Sequence, residues 1–92
     1  MSYFMTKNKM STITGIQIRM ARAALNWSAQ HLSEVTQISH RTIVRMEKYI
    51  GVPQSTASNL AVIRKQFEDA GIEFIGTPDD RPGIRISGAP KA

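Results

Sequence analysis

The chain has 92 residues, 41% of them hydrophobic, and no cysteine. That is enough for one domain around one small core, and it excludes disulfides, thiolate metal sites and cysteine nucleophiles. The net charge of +5 lies wholly in the first half, with seven cations against two acids in residues 1–53 and five against five in residues 54–92, so one end is expected to face a polyanion.

No apolar run approaches the roughly 18–20 residues that span a bilayer. The start Met1-Ser2-Tyr3-Phe4-Met5-Thr6-Lys7 also lacks the apolar middle of a signal peptide. A soluble, cytoplasmic protein with no membrane partner is therefore expected. Residues 1–12 are polar and methionine-rich without a period and read as a mobile tail, in which Tyr3 and Phe4 are candidates to dock on a partner.

Thr14-Gly15-Ile16-Gln17 has the form of a capping box, with Ile13 and Ile18 placed as a hydrophobic staple. A first helix is predicted to follow to about Asn26, with Arg19, Arg22 and Asn26 on one stripe and Ile16, Met20 and Ala23 turned inward. Trp27, at its end, is expected to cover the core. Ser28 is the predicted N-cap of a short second helix carrying Leu32 and Val35 on its inner face. Ser39 is the N-cap of a third, predicted to run through about Tyr49. Only Thr36 to Ile38 separate these two helices, which forces a tight corner.

Gly51-Val52-Pro53 interrupts the helical pattern. A fourth helix is predicted from Ser58 or Asn59 to Ala70, burying Leu60, Ile63 and Phe67 and ending at Gly71. Ile72–Ile75 and Ile84–Ile86 read as short strands, and the turn formers of residues 76–83 lie between them. Residues 88–92 read as a disordered tail.

The third helix carries the informative surface. At about 100° per residue, Ile43, Met46 and Ile50 fall within an arc of roughly 60° and form the predicted buried stripe. His40, Arg41, Val44, Arg45 and Lys48 fall within roughly 140° on the other side. That side carries four hydrogen-bond donors and no acid, whereas a face placed only for solubility usually mixes signs. A helix of this width fits the major groove of B-DNA, where an Arg fork bonds guanine O6 and N7, a His donates to the same acceptors and a Val touches a thymine methyl.

The run from Ser28 to Glu47 resembles the helix-turn-helix of the Cro and lambda-repressor family (the xenobiotic-response-element regulators). Leu32, Ile38, Ser39, Thr42, Ile43, Met46 and Glu47 match the family pattern. The resemblance covers about residues 13–71. It implies a mostly α fold, a four- to five-helix lambda-repressor-like DNA-binding bundle, continued here by a short C-terminal strand or hairpin at residues 72–87 that is a candidate dimerisation element. It places base readout at Ser39, His40, Arg41, Val44 and Arg45, and a structural ion pair between Arg22 and Glu47. Two positions depart from the pattern. Ala29 replaces a phosphate-contacting Gln, leaving the backbone of Ser28, Ala29 and Gln30 at the helix start, with the Gln30 side chain as a substitute. Gln37 replaces the turn Gly, at a cost of order 1 kcal/mol if φ > 0 is required there. Arg19 and Lys48, with Lys7 and Lys9 in the tail, are the further phosphate candidates.

His31 and His40 lie on different helices without a cysteine or local acids, so no metal site is expected. Asp79-Asp80 reads as loop solvation. No Gly-rich phosphate loop or serine elbow occurs, and neither an enzyme nor a cofactor is expected. The expected function is sequence-specific binding of double-stranded operator DNA as a homodimeric transcriptional regulator, most simply a repressor. The alternative is an antitoxin-type module that binds a toxin partner through exposed strand edges and autoregulates its operon.

Overall fold

The computed structural model describes residues 12–87. The predicted tails, including Tyr3, Phe4, Lys7 and Lys9, lie outside them. Among the described residues the chain forms four helices, α1 (Gly15–Leu25), α2 (Ala29–Thr36), α3 (His40–Met46) and α4 (Ala57–Asp69), followed by strands β1 (Ile72–Thr77) and β2 (Asp80–Ile86). None of these helices is long and apolar enough to cross a membrane.

Each of the four helices opens on a hydroxyl N-cap. Thr14, Ser28, Ser39 and Thr56 accept from the backbone N–H three residues on, satisfying one of the donors a helix start leaves open. At Thr14 the capping box is complete, since Gln17 Oε1 accepts from the Thr14 N–H at 2.9 Å. Ile13 and Ile18, the two arms of the staple, are fully buried. Thr56, not Ser58 or Asn59, starts the fourth helix, so that helix begins a residue or two earlier than predicted.

The buried stripe of α1 differs from the expected one. Gln17, Ile18 and Ala21 turn inward, while Ile16 and Met20 are half-buried and Ala23 is exposed. Both stripes have helical spacing. The choice between them is made at Gly15, whose first-turn backbone lies against the end of α3 and donates to Gly51 O at 2.9 Å. The third helix is also shorter than expected. It ends at Met46 with Glu47 as C-cap, so Tyr49 lies outside it and Ile50 is 78% exposed rather than buried. Once the helix stops, its periodicity no longer governs which way Ile50 faces.

Ile13, Ile18, Leu32, Ile43, Met46, Ile63, Phe67 and Ile72 form the centre of the core. Trp27 stacks on Phe67 at 5.6 Å between ring centroids and meets the exposed His31 ring edge-on. Leu60, Ile63 and Phe67 are buried on α4 as expected, and Gly71 follows the helix at φ 100°.

The strands pair antiparallel from Ile72↔Ile86 to Thr77↔Asp80, and the segment read as a long turn is mostly ladder. Only Pro78-Asp79 lies between the strands. Neither turn residue has positive φ, so the corner lacks the twist that suits a two-residue hairpin. A register irregularity between Ile75 and Thr77, with positive φ at Gly76 and Arg81, absorbs the difference. The hairpin is fixed to the bundle by Gln17, whose Nε2 donates to Gly83 O at 2.8 Å and Ile75 O at 3.4 Å.

Candidate nucleic-acid interface

The corner between α2 and α3 is built from short side chains bonded to the backbone. Thr36 Oγ1 donates to Leu32 O at 2.7 Å and accepts from the Ile38 N–H, while Ser33 Oγ donates to Ile38 O at 2.6 Å. Gln37 adopts the left-handed conformation, φ 63° and ψ 24°, and its side chain donates to Glu34 O. A residue with a Cβ is strained there. Replacing Gln37 by Gly is expected to raise stability by about 1 kcal/mol, read as a higher urea midpoint at unchanged m-value. An unchanged or lower midpoint would show that the bond to Glu34 outweighs the strain.

Beyond this corner α3 exposes one face. His40, Arg41 and Arg45 are exposed and Val44 is 38% exposed; Lys48, in the turn just past the end of α3, is exposed beside them, and the five line one shallow depression. No acidic side chain lines it. Ser39 begins the same helix, but its hydroxyl is engaged, accepting from the Thr42 N–H and donating to Thr42 Oγ1 at 2.9 Å. Arg45 is held from behind, with Nη1 donating to Gln54 O at 2.8 Å. That bond fixes where its guanidinium sits and uses one edge of it.

A second depression continues from the first. Val44 and Lys48 belong to both, and the second adds Arg19 of α1 and Ala29 at the start of α2. Four of the expected contact residues, two cations and two small apolar side chains, are thereby brought together from α1, α2, α3 and the turn that follows α3. Ser28 is used as the cap of α2, accepting from the His31 N–H, and Gln30 is bonded to Glu34 at 3.2 Å. Of the residues at the start of α2, only Ala29 lines this depression.

Arg22 and Glu47 lie at its back. Arg22 Nε and Nη2 donate to the two Glu47 carboxylate oxygens at 2.7 and 2.8 Å, and Nη1 donates to Trp27 O at 2.8 Å. The hydrogen bond to Glu47 raises the Arg22 pKa above its ordinary value against the opposing effect of burial, so Arg22 stays cationic. The residue it grips caps α3, which joins the start of the Trp27 turn to the end of the exposed helix.

Sequence reasoning missed three participants. Gln54 acts through its backbone carbonyl, which no side-chain pattern reveals. Gly15 and Gln17 are legible in the sequence only as parts of a cap, but in the fold Gly15 abuts Met46 and Tyr49 and Gln17 binds the hairpin. No group of three or more His, Cys, Asp or Glu able to hold a metal occurs among the described residues. No family model matches the chain, and no curated protein or solved structure does either.

Proposed function

We propose that this protein binds double-stranded DNA sequence-specifically, inserting α3 into the major groove as a transcriptional regulator of the lambda-repressor-like type, most simply a repressor. The observation that carries this reading is the exposed, acid-free face of His40, Arg41, Val44, Arg45 and Lys48, presented just after a tight helix–helix corner. Arg41 and His40 lie in the first turn of α3 and are assigned to base edges. Lys48 and Arg19, beside Ala29, are assigned to the phosphates flanking them. Arg45 is assigned to a base edge through the donors not engaged by Gln54. Two copies are required to read a two-fold operator, with recognition helices roughly 34 Å apart.

Selection from random duplexes with the purified protein is expected to return a defined site, and affinity for it should fall steeply with salt. Arg41→Ala should cost about 1–3 kcal/mol at one base position and relax preference there. Lys48→Ala should weaken binding to all sequences and reduce the salt slope by about 1. Equal, weak affinity for every duplex, the selected one included, would refute the readout. Uniform weakening in Arg41→Ala would reassign that residue to a phosphate.

A further inference from the structure

A shallow groove runs along α4 and shares no lining residue with the depressions assigned to DNA. Val52, Ala57, Leu60 and Ala61 form its apolar part, Glu68 closes one end, and Thr12, the first described residue, lies on its rim. Ala57 and Ala61 are exposed and Val52 is 41% exposed, so apolar surface remains open to a partner. From Ala57 to Glu68 the stripe covers three turns of helix, about 16 Å at 1.5 Å per residue.

We infer that this groove is covered by the chain's own N-terminal segment, residues 1–11, and not by a second copy. The segment leaves from the rim, because Thr12 lines the groove. Eleven residues reach about 36 Å when extended and about 16 Å as a helix, so either conformation spans the stripe. Its composition fits: Tyr3, Phe4, Met5 and Met10 supply large apolar side chains, and Lys7 and Lys9 are unaccompanied by any acid. The far end of the groove carries Glu68 beside Asp69, at the negative end of the helix dipole. Arg64 and Lys65 also line the groove and are ion-paired with those two acids, so these four side chains carry no net charge and the fit rests on the apolar side chains. A tethered segment acts at an effective concentration on the order of mM, against the micromolar concentrations at which a second copy competes. The proposal is independent of DNA binding.

The lack of cysteine permits a direct test in the 92-residue chain. In Phe4→Cys/Ala61→Cys, a glutathione redox buffer is expected to form an intrachain disulfide at least ten times faster than in Phe4→Cys/Glu34→Cys, whose second site is exposed on α2. Equal rates in the two variants, or interchain disulfides that form faster at higher protein concentration, would overturn the proposal. The unaltered protein supplies a second measurement. Nuclear Overhauser contacts from the Tyr3 or Phe4 ring to the Leu60 side chain or the Ala61 methyl are expected within one chain, and an isotope-filtered mixture of labelled and unlabelled chains distinguishes them from contacts between chains. Contacts only between chains, or none, would overturn it.

Discussion

Gly15→Ala is expected to destabilise the fold by about 3 kcal/mol, at the upper end of the range for overpacking. An Ala on a helix is ordinarily preferable to a Gly by as much as about 1 kcal/mol, and here the sign reverses. A Cβ at Gly15 would stand 2.2 Å from Met46 O and 2.4 Å from Tyr49 O. Both are backbone oxygens, which cannot rotate away as a side chain would. The start of α1 must move off the end of α3, and the bond from the Gly15 N–H to Gly51 O is lost with it. Gly51→Ala is the matched control. Nothing lies within 4 Å of its added methyl and its φ is not positive, so that variant should change stability by no more than about 0.5–1 kcal/mol, in the stabilising direction. Urea unfolding of the two variants against the parent separates the effects. Equal midpoints for Gly15→Ala and Gly51→Ala would show that α1 and α3 do not approach this closely. A loss of 3 kcal/mol is a large part of the margin of a small domain, and the variant is expected to be partly unfolded at 37 °C.

Glu47→Ala is expected to cost about 2–3 kcal/mol. Breaking a fully buried ion pair costs about 3–5 kcal/mol because the remaining charge is left uncompensated. Glu47 is 8% exposed at its side chain, but Arg22 is 25% exposed, so water recovers part of the loss at the guanidinium. Arg22 keeps its bond to Trp27 O in this variant, which limits the damage to the α1 side. What is lost is the bidentate grip on the C-cap of α3. The double variant Arg22→Met/Glu47→Met should be more stable than Glu47→Ala alone, since an apolar pair leaves no stranded charge. If the single and double variants lose the same stability, the pair is not acting as a unit. The double variant also separates folding from function. On the proposed reading it should fold yet bind the selected DNA site more weakly, because nothing then fixes the end of α3 to α1.

The local features legible in the sequence were those whose cause is local. Thr14, Ser28 and Ser39 are legible as caps because a hydroxyl that accepts from the N–H three residues on favours a helix start there, although the same rule points to Ser58 or Asn59 where Thr56 caps α4. The exposed face of α3 followed from periodicity over seven residues, and Leu60, Ile63 and Phe67 followed from the same rule on α4. The partnership of Arg22 with Glu47 came from the family resemblance and not from spacing, since the two are 25 residues apart. The sequence marks the corner residue Gln37 as strained if φ > 0 is required there, and the fold sets it in the left-handed conformation.

Tertiary contact decided the remainder. On α1 two stripes, Ile16-Met20-Ala23 and Gln17-Ile18-Ala21, satisfy helical spacing equally, and only the approach of Gly15 to α3 and of Gln17 to the hairpin selects the second. Ile50 continued the α3 stripe on paper but lies beyond Glu47, where the helix has ended and Ile50 stands exposed. The sequence shows Arg45 only as a cation, whereas the fold sets the Gln54 carbonyl behind it. Hydrophobic periodicity and capping act within one or two turns of the chain, so the sequence by itself determined where the first three helices start and which cations share the face of α3. Helix rotation, helix length and the orientation of that face depend on backbone atoms contributed from elsewhere in the fold, and a carbonyl at Met46, Gln54 or Gly83 leaves no mark in the residue type that carries it.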